Sequence, residues 1–68
     1  MADRLKNRVR EARIALGWSQ AEVATRLGVS RQTINPLEIG RSDPSLALAF
    51  SLSRLFGQPL EQLFTPER

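Results

Sequence analysis

Cysteine, histidine and tyrosine are all absent from this 68-residue chain. Without cysteine there is neither a disulfide nor a thiolate metal site. Without histidine the usual general base, the commonest metal ligand and a pH switch near neutrality are all missing. Aromatics are few, with one tryptophan and three phenylalanines. No apolar run approaches the roughly 20 residues needed to cross a bilayer, and the N-terminal stretch has no signal-like apolar region. The sequence has no glycine-rich phosphate loop and no nucleophile–base set. Enzymatic, metal-binding and membrane-spanning functions are therefore not expected. No cofactor, metal or small-molecule ligand is expected, and a cytoplasmic setting follows as the default.

What remains is enough for one small domain, 1–68, close to the lower size at which an apolar core suffices. The formal charge is +3, and it is unevenly spread. Residues 1–34 hold seven basic and three acidic side chains, a balance of +4, whereas residues 35–68 hold three and four, a balance of −1. Nine of the ten basic residues are arginine, the side chain better suited to forked contacts with phosphate and guanine. Charge alone does not establish a nucleic-acid partner.

Periodicity predicts five helices and no convincing strand. The first runs from about Asp3 to Leu16, with Leu5, Val9, Ala12 and Leu16 on one face and Gly17 as its stop. Arg4, Lys6, Arg8 and Arg10 read mainly as its solvated face. Ser19 followed by Glu22 reads as a reciprocal capping box that opens the second helix, which Gly28 ends. Ser30 opens a third helix ending near Ile39 and Gly40. Ser45 caps a fourth, Leu46 to about Phe56, with Leu48, Leu52, Leu55 and Phe56 among its apolar positions. A short fifth runs from Leu60 to Phe64, and Glu61 and Glu67 belong to an exposed tail.

Residues 20–39 are the most informative stretch. Val23, Ala24 and Leu27 would line the inner face of one helix. Gly28 follows where the chain must turn with positive φ. Val29 would pack into the turn, and Ile34 and Leu37 would return to the core from the next helix. Ala24 leaves room for two helices to cross closely. This is the helix-turn-helix pattern, here spanning about 19–39, whose second helix is shaped for the DNA major groove.

Three stretches extend the match: Arg13-Ile-Ala-Leu-Gly-Trp-Ser-Gln-Ala-Glu-Val-Ala, Leu27-Gly-Val-Ser-Arg-Gln-Thr-Ile-Asn and Gly40-Arg-Ser-Asp-Pro-Ser-Leu. With these, the chain resembles the lambda-repressor-like, Xre-type family of bacterial and phage regulators, in its short stand-alone form. The resemblance implies a compact all-α, five-helix DNA-binding domain that regulates transcription, most simply as a repressor on a palindromic operator. It further implies that Gln20 contacts a phosphate and braces the recognition helix, and that Ser30, Arg31, Gln32 and Thr33 form the first turn in the groove. Arg31 would suit guanine O6/N7 and Gln32 adenine N6/N7. Asn35 is implied as a base or phosphate contact and Arg41 as a backbone contact. Arg13 and Glu38 are implied as a structural ion pair between helices one and three.

Pro36 and Ile39 depart from the family pattern. A proline six residues past the helix cap removes an amide bond to the Gln32 carbonyl and clashes there, costing roughly 3 kcal/mol. It also biases Asn35 away from helical φ/ψ. The third helix is therefore expected to kink or to end early. Leu48, Phe50, Leu60, Leu63 and Phe64 exceed what so small a core should hide, so a homodimer through these residues is expected, with segment 58–68 as one contact. The alternative function is a protein-interaction module on the same fold, its DNA face weakened by Pro36 and Ile39.

Overall fold

Local capping starts the helices where the side-chain chemistry asks for it. Ser19 is extended (φ −81°, ψ 167°), and its Oγ accepts the amide of Glu22 at 3.0 Å. Ser45 does the same for Leu48 at 3.1 Å. Such a cap satisfies one of the free amides of a first helical turn. The computed structural model describes residues 5–66. In chain order its elements are β1 (Leu5–Asn7), α1 (Val9–Ala15), α2 (Gln20–Leu27), α3 (Arg31–Glu38), α4 (Leu46–Phe56), α5 (Leu60–Leu63) and β2 (Phe64–Pro66). The fold is thus five short helices with a minor two-stranded sheet.

The strands correct the expectation of a first helix beginning near Asp3. β1 and β2 pair antiparallel, with Leu5 opposite Pro66, Lys6 opposite Thr65 and Asn7 opposite Phe64. Backbone groups of this segment thereby find partners across the chain's two ends instead of within a helical turn. Asn7 then turns the chain, its Oδ1 accepting the amide of Val9 at 3.3 Å, an Asx-type arrangement that competes with helix. Arg8, at the N-cap position of α1, donates its amide to the Leu63 carbonyl at 2.9 Å. The solvated helix face assigned to Arg4, Lys6, Arg8 and Arg10 is therefore broken up: Lys6 sits in a strand, and only Arg10 is inside α1. Asp3, Arg4 and Glu67 lie outside the described residues.

The core is built from Val9, Ala12, Val23, Ala24, Ile34, Leu37, Ala49, Leu52, Leu63 and Phe64. Leu5, Trp18, Leu27, Val29, Leu48, Leu55, Phe56 and Leu60 pack around it, partly buried. Leu16, expected inside, is 48% exposed. Helix α1 ends at Ala15, and the Leu16 amide tightens onto the Arg13 carbonyl at 3.1 Å. That tightening takes residue 16 off the helical face. Leu63 and Phe64 are the second correction: both are buried within one chain and so are not available to a partner. With so few helical turns, the core is completed by Leu63 at the end of α5 and Phe64 at the start of β2.

Gly28 ends α2 in the left-handed region (φ 72°, ψ 28°), where a Cβ would meet its own carbonyl. The amides of Gly28 and Val29 close the turn onto the carbonyls of Thr25 and Ala24 at 3.2 and 3.0 Å. The next residue, Ser30, can then enter α3 at once.

Candidate nucleic-acid interface

Helix α3 is two-sided. Ile34 and Leu37 are fully or almost fully buried, while Arg31, Gln32, Thr33 and Asn35 are exposed. Positions 31 and 32 are adjacent, and 35 stands one turn beyond both, so the three share one face. With Gln20 and Pro36 they line one open depression across the α2–α3 pair. Ser30 occupies the N-cap position of α3, but its side chain makes no cap bond to the backbone. Its hydroxyl lies 3.2 Å from that of Thr33 instead.

Beneath this face lies a polar brace. Arg13 Nε donates to Glu38 Oε2 at 2.7 Å, and a terminal guanidinium nitrogen donates to Oε1 at 3.1 Å. The other terminal nitrogen donates to the Trp18 carbonyl at 2.9 Å. The two side chains retain only 13% and 2% of their exposure. A forked geometry of this kind is the strong form of an arginine–carboxylate pair. The hydrogen bond to Glu38 holds the Arg13 guanidinium above its ordinary range against the opposing effect of burial. The pair links α1, the α1–α2 turn and α3.

Gln20 completes the brace. Its Nε2 donates to Glu38 Oε1 at 3.1 Å and to Asn35 Oδ1 at 3.2 Å. Both hydrogens of that amide are engaged within the protein. At the far end of α3, Asn7 Nδ2 donates to the Leu37 carbonyl at 2.9 Å. Sequence patterning missed this residue, because its partner is 30 positions away and its segment has no readable period.

Pro36 does not end the helix. α3 continues to Glu38, and the Ile39 amide still reaches the Asn35 carbonyl at 3.2 Å. The expectation of an early stop is corrected by tertiary contacts. Ile34 and Leu37 bury on either side of the proline, Glu38 is held by Arg13, and the Pro36 carbonyl accepts the amides of Arg41 and Ser42 at 2.9 and 3.4 Å. These offset the single bond that proline removes. The Arg41 side chain is exposed in the loop that follows, as is Ile39 at 59%.

The reciprocal capping box is also one-sided here. Glu22 turns its carboxylate to Arg26 at 2.8 Å along the helix surface, and Arg26 lies 4.2 Å over the Trp18 ring. Of the residues expected at a two-fold interface, Phe50 is 50% exposed and Leu48 and Leu60 are half-buried. Leu46, not among those expected, is 68% exposed one turn before Phe50. Beside it, Leu5, Pro44, Leu60 and Pro66 help to line an apolar groove. No helix among the described residues is long and apolar enough to cross a membrane.

A helix-turn-helix family profile matches residues 9–63. The chain is 43% identical over 63 residues to an uncharacterized HTH-type transcriptional regulator of Methanocaldococcus jannaschii, covering 93% of this chain and 96% of that one. A second such regulator, from Methanothermobacter thermautotrophicus, is 46% identical over 61 residues, 88% of each chain. Among solved structures, a Bacteroides fragilis protein shares the fold at a TM-score of 0.80 and 23% identity, over 90% of this chain and 98% of that one. The hypothetical transcription factor NHTF from Neisseria superposes with a TM-score of 0.76 at 29% identity, over 87% and 68%. An exposed polar face on α3, set on a tight α2–α3 crossing, agrees with these likenesses: the chain belongs to the lambda-repressor-like, Xre-type helix-turn-helix family of DNA-binding transcriptional regulators, a family of regulators and not of enzymes.

Proposed function

We propose that this chain represses transcription by binding a palindromic operator as a homodimer, with α3 of each copy in the major groove. The observation that carries this reading is the braced polar face of α3: Arg31, Gln32 and Asn35 exposed on a helix whose opposite side is anchored by Ile34, Leu37 and Glu38. Ser30 and Thr33 sit in the same first turn and share the groove. Arg41 reaches the DNA backbone from the following loop. Gln20 acts as the brace, and because its side-chain donors are engaged, a phosphate contact there falls to its backbone amide in the first turn of α2. The positive N-terminal half draws the protein to phosphate. Such a protein works in the cytoplasm, at the nucleoid.

A second copy would seat on the apolar groove beside Leu46, Phe50 and Leu60. Two copies would place their α3 helices about 34 Å apart, one turn of DNA, and supply the base contacts that one small domain lacks. The exposed Ile39, at the C-terminal cap of α3, favours the rival reading of a protein-interaction surface. Selection from random duplexes at low salt separates the two. An enriched inverted repeat, with affinity falling steeply as salt rises, is the expected result. No enrichment, together with protein partners whose binding ignores salt, would sink the repressor reading.

A further inference from the structure

We propose, on the reading that α3 lies in the major groove, that Asn35 meets DNA as a hydrogen-bond donor and selects guanine, its polarity imposed by Glu38 through Gln20. The argument starts at the carboxylate, which can only accept. The Gln20 atom 3.1 Å from Glu38 Oε1 is therefore the amide nitrogen. That same nitrogen lies 3.2 Å from Asn35, so the Asn35 atom facing it is Oδ1, which accepts. Glu38 cannot reorient to relax this order, because Arg13 binds both of its oxygens and the side chain is almost wholly buried.

The two arms of a carboxamide diverge. With Oδ1 directed back toward α2, Nδ2 is the arm left for a ligand on the exposed side of Asn35. Asparagine usually reads adenine with both arms, Oδ1 accepting from N6 and Nδ2 donating to N7. Here that two-armed pairing is disfavoured by orientation: Oδ1 keeps a second lone pair, but its bond to Gln20 holds it toward α2. Guanine presents two acceptors, N7 and O6, whereas thymine presents only O4 beside its methyl group, so guanine gives the donor the fuller match and leaves no base donor unmet. Cytosine presents a donor against a donor. The depression shared by Gln20, Arg31, Gln32, Asn35 and Pro36 is where such an edge would lie.

The test pairs duplex selection with a measurement on the free protein. Asn35→Ala identifies the operator base that loses its preference. At that base the wild-type protein should favour guanine over adenine and cytosine by about tenfold. Asn35→Asp keeps the Gln20 contact but exposes an acceptor, so the preference should move to cytosine while overall affinity falls. Glu38→Gln, which can donate or accept, should relax the preference at that base alone. Because Glu38→Gln also weakens the ion pair and can unfold the chain, the Asn35→Asp result decides on its own. An adenine preference in the wild type, or an Asn35→Asp loss equal for all sequences, would overturn the proposal.

In the free protein, a scalar coupling across the hydrogen bond from Gln20 Nε2 to the Asn35 side-chain carbonyl is expected by NMR. Gln20 amide protons exchanging as freely as those of a solvated glutamine would overturn the polarity itself. Couplings present with no duplex enriched would instead overturn the groove reading.

Discussion

Arg13 and Glu38 face each other through two hydrogen bonds, 2.7 and 3.1 Å long, across 25 residues of sequence. One end of this pair belongs to the first helix and the other to the helix that presents Arg31, Gln32 and Asn35. Whatever orients this exposed polar face therefore also joins the N-terminal helix to the core. Removing one partner strands a nearly buried charge. Arg13→Ala or Glu38→Ala should lower stability by about 3–5 kcal/mol, measured by urea denaturation. The double change Arg13→Met, Glu38→Leu should lose distinctly less. A double variant as unstable as the sum of the singles would show that the two side chains act independently.

The raised pKa of Arg13 fixes the sign of its pH dependence. A basic group raised on folding stabilises at every pH below its unfolded value and loses that contribution only in strong alkali. The stability that Arg13 adds should hence be constant across the neutral range. A wild-type minus Arg13→Met stability difference that changed between mildly acidic and mildly alkaline buffer would require another titrating group in the brace.

Pro36 is tolerated, but it still lacks an amide. Pro36→Ala restores a donor for the Gln32 carbonyl and should raise stability by about 1–3 kcal/mol, part of which acts against a freer unfolded chain. Thermal and urea unfolding would both register it. An unchanged or lowered midpoint would mean that α3 has already adapted its backbone to the proline.

At Gly28 a Cβ would meet nothing within 4 Å beyond the residue itself and its chain neighbours, yet φ is +72°. Gly28→Ala should cost about 1–2 kcal/mol through backbone conformation alone. A much larger loss would point to a packing role that the open space around this residue does not support.

The corrected placement of the C-terminal leucines and phenylalanines separates two kinds of variant. Leu63→Ala should destabilise by about 2–5 kcal/mol at any protein concentration, because Leu63 is fully buried in one chain. On the proposed dimer, Leu46→Ser with Phe50→Ser should leave unfolding nearly unchanged at low concentration and abolish the self-association expected of the wild type. Sedimentation equilibrium checks the second pair. If it stayed dimeric, the two-fold contact would have to lie away from this groove.

Helices α2, α3 and α4 were legible from residues alone, because each has a 3.6-residue apolar period and a serine at its N-cap position, which caps α2 and α4 directly. Ser19, Ser45 and Gly28 act within a few residues of themselves, so no distant contact is needed to read them. The inner face of the helix-turn-helix, Val23, Ala24, Ile34 and Leu37, was legible for the same reason. Arg13 and Glu38 could be paired only through the family resemblance, since nothing local in the chain says that they meet.

Tertiary structure decided the rest. Three-residue strands have no readable period, and β1 exists because β2 pairs with it from the other end of the chain. Leu63 and Phe64 lie buried beside that pairing, while Leu46 and Phe50 stay outside. Pro36 should stop a helix by local rules, yet burial of Ile34 and Leu37 and the hold on Glu38 carry α3 past it. The order of donors and acceptors from Glu38 through Gln20 to Asn35 is likewise invisible in sequence. An amide has no inherent direction until a carboxylate, fixed by a distant arginine, assigns it one.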